Sequence, residues 1–248
     1  MIKFETIFIF VGLLFLSSCS IISKKNIIHG KYWTFNSDEI MTLNGPLNVE
    51  SSKEFFAMMS PKVNTLVLTS TGGDVESGLQ IGQHIYQNKI NIIVKGYCAS
   101  SCANYLFVAG YTKTVIQNSW VGWHGAVTPM LKELPEMFKK AGLDNKQIAL
   151  HMKKFLKFSK DELMFYRQLG INSKLLSDSH IMGENKKIIK QMEEGQYKAY
   201  MWCPNRSVLE SYGLKGIKEF WYPKTKQNLI KLGLDKKVLL IESLPIDI

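Results

Sequence analysis

Two adjacent serines, Ser100 and Ser101, stand between Cys98 and Cys102 where an apolar run begins. A Gly72-Gly73 pair follows an apolar stretch upstream, and His124 comes 24 residues after Ser100. A serine hydroxyl is a weak nucleophile until a base takes its proton, and histidine is the side chain poised to do so near neutral pH. A serine at a helix start also sets free N–H groups, and the positive end of the helix dipole, beside the reacting atoms. A glycine in a facing turn brings its own N–H to the same place with no Cβ in the way. The chemistry these residues could do together is acyl transfer. Ser100 or Ser101 would attack, His124 would take the proton, and the N–H groups of Gly73 and Ser101 would hold the developing oxyanion. Each feature alone has a plainer origin: a helix cap, a turn, a packed side chain.

Such residues must be positioned by elements, and the surrounding pattern supplies them. Residues 31–49 read as two short strands around Asn44-Gly45-Pro46, and Glu50 to Met59 as a helix with Phe55, Phe56, Met58 and Met59 on its apolar side. "NTLVLTS" is a buried strand that ends in "TGGDVESG", and Val75 to Gln87 follows with helical spacing of Leu79, Ile81 and Ile85. "INIIVKG" is a second buried strand leading into the serines, and "KTVIQNSWVGWHG" reads as a third strand pair. Leu131 to Arg167 is mostly helical, Lys186 to Ala199 is a further helix, and Tyr200 to Trp202 and "LLIESL" are late strands. Strand, glycine turn, helix, strand, turn, helix is the pattern of a parallel sheet with crossover connections. No linker divides residues 31–248, so one α/β domain is expected there.

Taken in order, "LTSTGGDVESG", "GYCASSCANYLFVAG" and "SWVGWHGA" resemble the Clp protease proteolytic subunit and the group sharing its fold, which includes signal peptide peptidase A and crotonase. The resemblance covers roughly residues 40–126 and extends weakly to "VLESYGLKGI" at 208–217. It implies a spiral of β-β-α units with a mainly parallel sheet and flanking helices, and a serine peptidase site without a cofactor. The G-x-x-x-S turn from Gly96 selects Ser100. Counting back from Ala109-Gly110 selects Ser101, because the stretch is one residue longer than the Clp pattern. Ser100 is preferred, since the turn before the nucleophile is tighter than the helix behind it. The acidic third member is expected shortly before the Tyr212-Gly213-Leu214 turn. Glu194, with Glu193 beside it, is the nearest candidate and Asp178 an outlying one, but none lies in a recognisable motif. Cysteines flanking the serine resemble envelope-exported members of the group. Relatives assemble into trimers or rings, which implies a homo-oligomer.

The N-terminus points to the same compartment. Ile7–Leu16 is an apolar run of ten, too short to span a bilayer and long enough for a signal peptide. Leu16-Ser17-Ser18-Cys19 resembles a bacterial lipobox, in which Cys19 carries the lipid, and Ser20 in place of Asp favours the outer membrane. Residues 1–18 are then a leader and 19–30 a tether. In an oxidising envelope, the default for Cys98 and Cys102 is a disulfide across the turn, with Cys203 a spare thiol or a rival partner. Zinc is not expected, because no second Cys/His pair accompanies the C-x3-C.

The charge balance excludes less. Thirty-one Lys and Arg stand against 21 Asp and Glu, a formal net charge of +10, but the cations are scattered. Without an Arg-rich tract or aromatic-interleaved stripe, nucleic acid is not an expected partner, and an anionic membrane surface is preferred. The expectation is a lipid-anchored, periplasm-facing hydrolase that cuts peptides or proteins; the alternative is a lipoprotein of the same fold that only binds or scaffolds. An acyl-CoA enzyme is disfavoured, since an exported chain would not meet CoA thioesters.

Overall fold

A computed structural model describes residues 27–183, 201–235 and 237–242 of the chain. Its centre is an eight-stranded mixed, mostly parallel sheet with helices packed against it. The strand order is β1 (Ile28–His29), β2 (Trp33–Ser37), β3 (Ile40–Asn44), β4 (Thr65–Ser70), β5 (Asn91–Ala99), β6 (Lys113–Val115) and β9 (Ile217–Phe220), with β7 (Trp120–Gly122) also on β5. Only β1–β2 and β2–β3 are antiparallel; every pair from β3 onward is parallel. A separate parallel pair, β8 (Met201–Pro204) with β10 (Val238–Ile241), joins the main sheet through an antiparallel bridge between Trp123 and Trp202.

The crossovers follow local sequence signals. Helix α1 (Val49–Met58) starts at a capping box in which Asn48 and Ser51 satisfy each other's backbone N–H groups. Helix α2 (Val75–Gln87) starts where the Asp74 carboxylate accepts from the Ser77 N–H at 2.8 Å. Gly78 and Gly82 lie one turn apart on α2, and a Cβ at either would meet Tyr105 atoms at 2.7 and 2.6 Å. Their bare backbones let α2 press against the helix that follows the serines. Helix α5 (Asn145–Leu169) opens on a capping box between Asp144 and Gln147 and closes on Gly170 in the left-handed region. Helices α3 (Val127–Met130), α4 (Leu134–Lys140), α6 (Lys174–Gly183), α7 (Arg206–Ser211) and α8 (Lys226–Lys231) complete the described set.

Three sequence expectations need correction. The hairpin of residues 31–49 turns at Asp38-Glu39, and Asn44-Gly45-Pro46 instead leads out of β3 towards α1. The Gly45 N–H donates to Thr69 O at 3.0 Å, so that glycine serves the β3–β4 ladder and not a hairpin. Phe56 is 45% exposed while its neighbour Phe55 is fully buried, because only one of two adjacent positions on α1 can face the sheet. Strands β6 and β7 do not pair with each other; each pairs with β5, β6 along Ile92–Val94 and β7 along Tyr97–Ala99. Gly96, at φ +92 between these two stretches, is where β5 turns from one partner to the other. The helix expected at 186–199 lies outside the described residues.

Candidate functional site

Strand β5 delivers the serines. Its last residue, Ala99, pairs with Gly122 of β7, and the Ser100 N–H donates to Gly122 O at 2.9 Å. Ser100 has φ +55, a left-handed conformation that costs a non-glycine residue roughly 1–2 kcal/mol. This one residue turns the chain from strand to helix: Ser100 O already accepts from the Asn104 N–H at 2.8 Å. The two hydroxyls have different surroundings. Ser101 is 2% exposed and its Oγ donates to Gly73 O at 2.7 Å, whereas Ser100 is only half-buried. The helix that follows is a π-helix over Cys102–Phe107, every residue of it buried. Such wide turns recur at functional positions in helices.

The glycine turn meets this elbow directly. A Cβ on Gly72 (φ +77) would lie 2.4 Å from Ala99 O and 2.6 Å from the Ser101 nitrogen. A Cβ on Gly73 (φ +141) would lie 2.2 Å from Leu47 O. The Gly72 N–H donates to Ser70 Oγ at 3.1 Å. Leu47 bridges Gly73 in parallel through Gly72 O and the Asp74 N–H, so Gly73's own N–H and C=O point to the other side. That side is the elbow, where the carbonyl receives the Ser101 hydroxyl. Gly73 is exposed. Ser101, first in its helix, has no helical acceptor for its N–H. Two main-chain donors thus flank the Ser100 turn, an arrangement able to hold negative charge on an acyl oxygen.

His124 enters from β7, and the backbone around it is pinned. Gly122 O is held by Ser100, Trp123 exchanges two 2.9 Å hydrogen bonds with Trp202, and Gly125 O receives Asn104 Nδ2 at 2.8 Å. Trp123 is fully buried and His124 is exposed, as alternation along an extended segment requires. Neighbouring protein still desolvates the imidazole enough to hold its pKa below the ordinary 6.5. Among the described residues no hydrogen bond joins Ser100 Oγ to the His124 ring. An NMR titration of His124 is expected to give a midpoint below 6.5, leaving the ring neutral at pH 7; a midpoint above 6.5 would contradict the desolvation.

The acidic candidates are not brought to the histidine within the described residues. Glu193 and Glu194 lie outside them, as does Cys19. Asp178, on α6, accepts from the Tyr212 hydroxyl at 2.6 Å beside a small cavity that Trp123 also lines. A different carboxylate, unremarked in the sequence reading, is the most deeply embedded. Glu162 on α5 is fully buried and accepts from Tyr105 Oη at 2.6 Å, Thr128 N at 2.9 Å and Thr128 Oγ1 at 2.5 Å. Ser159 Oγ lies 2.9 Å from Thr128 Oγ1. Burial first, and the Glu162 charge second, push the Tyr105 phenol well above its usual range. This cluster ties the segment just after His124 to α5 and the π-helix. Its signal was a lone Glu among Phe158, Phe165 and Tyr166 at helical spacing.

Cys98 and Cys102 are bonded to each other, with Cα atoms 5.3 Å apart, and so bracket Ser100. A loop this short constrains the unfolded chain by about 2 kcal/mol in the chain-entropy account, enough to offset the left-handed serine. Cys203 is free and buried, and burial pushes its thiol up to about 12. Ellman's reagent should therefore leave Cys203 untouched in a folded Cys19→Ser protein and titrate it after unfolding without reductant. Fast reaction in the native state would contradict that burial. No protein-family model and no curated protein sequence matches this chain.

Proposed function

We propose that the chain is a serine hydrolase of Clp-like fold, acting as a peptidase, with Ser100 as nucleophile and His124 as its base. The observation that carries this reading is Ser100 itself. It is the residue of the elbow that bears left-handed strain, the Gly73 and Ser101 N–H groups flank its turn, and its neighbour's hydroxyl is already committed to Gly73. Local strain retained at an otherwise relaxed turn is a mark of function. His124, neutral at pH 7, is in the protonation state a base requires. The test is incubation of the wild-type protein with a fluorophosphonate and peptide mapping of the adduct, expected on Ser100. Absence of any adduct would transfer the assignment to a binding or scaffold protein. That second reading has its own support, since no Ser100–His124 hydrogen bond is present among the described residues.

We place this activity at the cell envelope, on peptides or proteins, in a lipid-anchored and self-associating protein. The support is Leu16-Ser17-Ser18-Cys19 together with the disulfide, a bond of oxidising compartments. No helix among the described residues is long and apolar enough to cross a membrane. Intact-mass analysis of the native protein should show a mature chain beginning at Cys19 with acyl groups attached. A free N-terminus elsewhere would remove the anchor.

A further inference from the structure

A cleft of about 690 Å³ lies at the opposite end of the parallel strands from Ser100. It opens where β6 and β9 begin, between the C-terminal ends of α2, the π-helix and α5. Its volume is that of a small-molecule site. Lys89, Lys113, Lys215 and Lys218 line it, and among the described residues no Asp or Glu does. Three helix C-termini contribute about half a negative charge each, against four full positive ones, so the cleft is electropositive.

Lys113 is the unusual member. It is 4% exposed, and its Nζ donates to Gly110 O at 2.5 Å and Lys215 O at 2.8 Å, both neutral carbonyls. Among the described residues none of the four lysines is ion-paired. A buried ammonium without a counter-charge is costly, and burial lowers this one to about 8. Two carbonyls leave its third N–H for another acceptor. Tyr86 and Tyr111, 41% and 62% exposed, give the same cleft aromatic flanks.

We propose that this cleft binds a small amphiphilic anion, its carboxylate- or phosphate-like head among the lysines and its apolar body against Tyr86 and Tyr111. This site stands independently of the Ser100 chemistry. Its source, a free metabolite or a lipid headgroup, is separated by comparing soluble decanoate with vesicles of anionic lipid as competitors.

The probe is anilinonaphthalene sulfonate, followed by fluorescence with the full folded chain. One saturable site per chain is expected, displaced by decanoate or by anionic vesicles but not by neutral decyl glucoside. Displacement by decanoate alone assigns a free ligand, and displacement by vesicles a lipid headgroup. The exposed double reversal Lys215→Glu with Lys218→Glu should weaken the probe by at least about tenfold without changing the melting temperature. Lys113→Met should abolish saturable binding, and the surface pair keeps the test valid should that variant not fold. Non-saturable binding, displacement by decyl glucoside equal to that by decanoate, or indifference to the Lys215/Lys218 reversal would each overturn the proposal.

Discussion

Ser100→Ala and His124→Ala are each expected to reduce fluorophosphonate labelling to background, and the double variant to be no worse than either. Members of one catalytic unit fail together, because the hydroxyl without its base and the base without its hydroxyl are equally inert. Ser101→Ala is expected to behave differently. It removes the hydroxyl that clamps Gly73 O, so one N–H donor loses its aim while nucleophile and base remain. Loss of a single such donor costs about 10²–10³ in rate in a comparable site. Labelling of Ser101→Ala should therefore be slow and still land on Ser100. An adduct on Ser101 in the Ser100→Ala protein, at a rate near wild type, would show that the wrong hydroxyl was chosen. Undiminished labelling of His124→Ala would remove the histidine from the chemistry.

Glu162→Ala should be strongly destabilising. It strands three donors, a buried one from Tyr105 and two part-buried ones from Thr128, and an unmade buried bond costs about 1–3 kcal/mol. A loss of about 3 kcal/mol would lower the melting temperature by roughly 6–12 °C in a chain of this size. Glu162→Gln keeps an acceptor and should lose less. Circular dichroism melts decide the matter: a Glu162→Ala melt within about 2 °C of wild type would show that the cluster is not a structural tie.

Much of this was legible in order along the chain. The expected helix over Val75–Gln87 is α2 to the residue, because its cap, Asp74, and its apolar spacing are local signals. The buried strands of Leu66, Leu68, Ile92 and Val94 were equally plain. What escaped notice depends on distant partners. Strand β9 is four residues long and two of them face solvent, so only its pairing with β6 makes it a strand. That β6 and β7 share β5 follows from a bend at Gly96, which no periodicity announces. At the site, the serines, glycines and histidine could be picked out by type and spacing. The preference for Ser100 over Ser101 rests there on the turn alone, and the bond that commits the Ser101 hydroxyl was not legible, since it is made to Gly73, 28 residues away. Glu162 was hidden for the same reason: its partners lie 57 and 34 residues upstream.

The strand that ends at Ala99, just before Ser100, is paired along both edges, by β4 on one side and by β6 and then β7 on the other. In hydrogen-exchange terms, such a strand belongs to the last unit to open, because its amides are freed only when the sheet itself is lost. The strand that feeds the elbow is therefore expected to open only with the sheet. Motion that the proposed activity requires would then fall to the surface segments around it. Under the proposed activity the turn that bears Ser100 would stay fixed, as an anvil does.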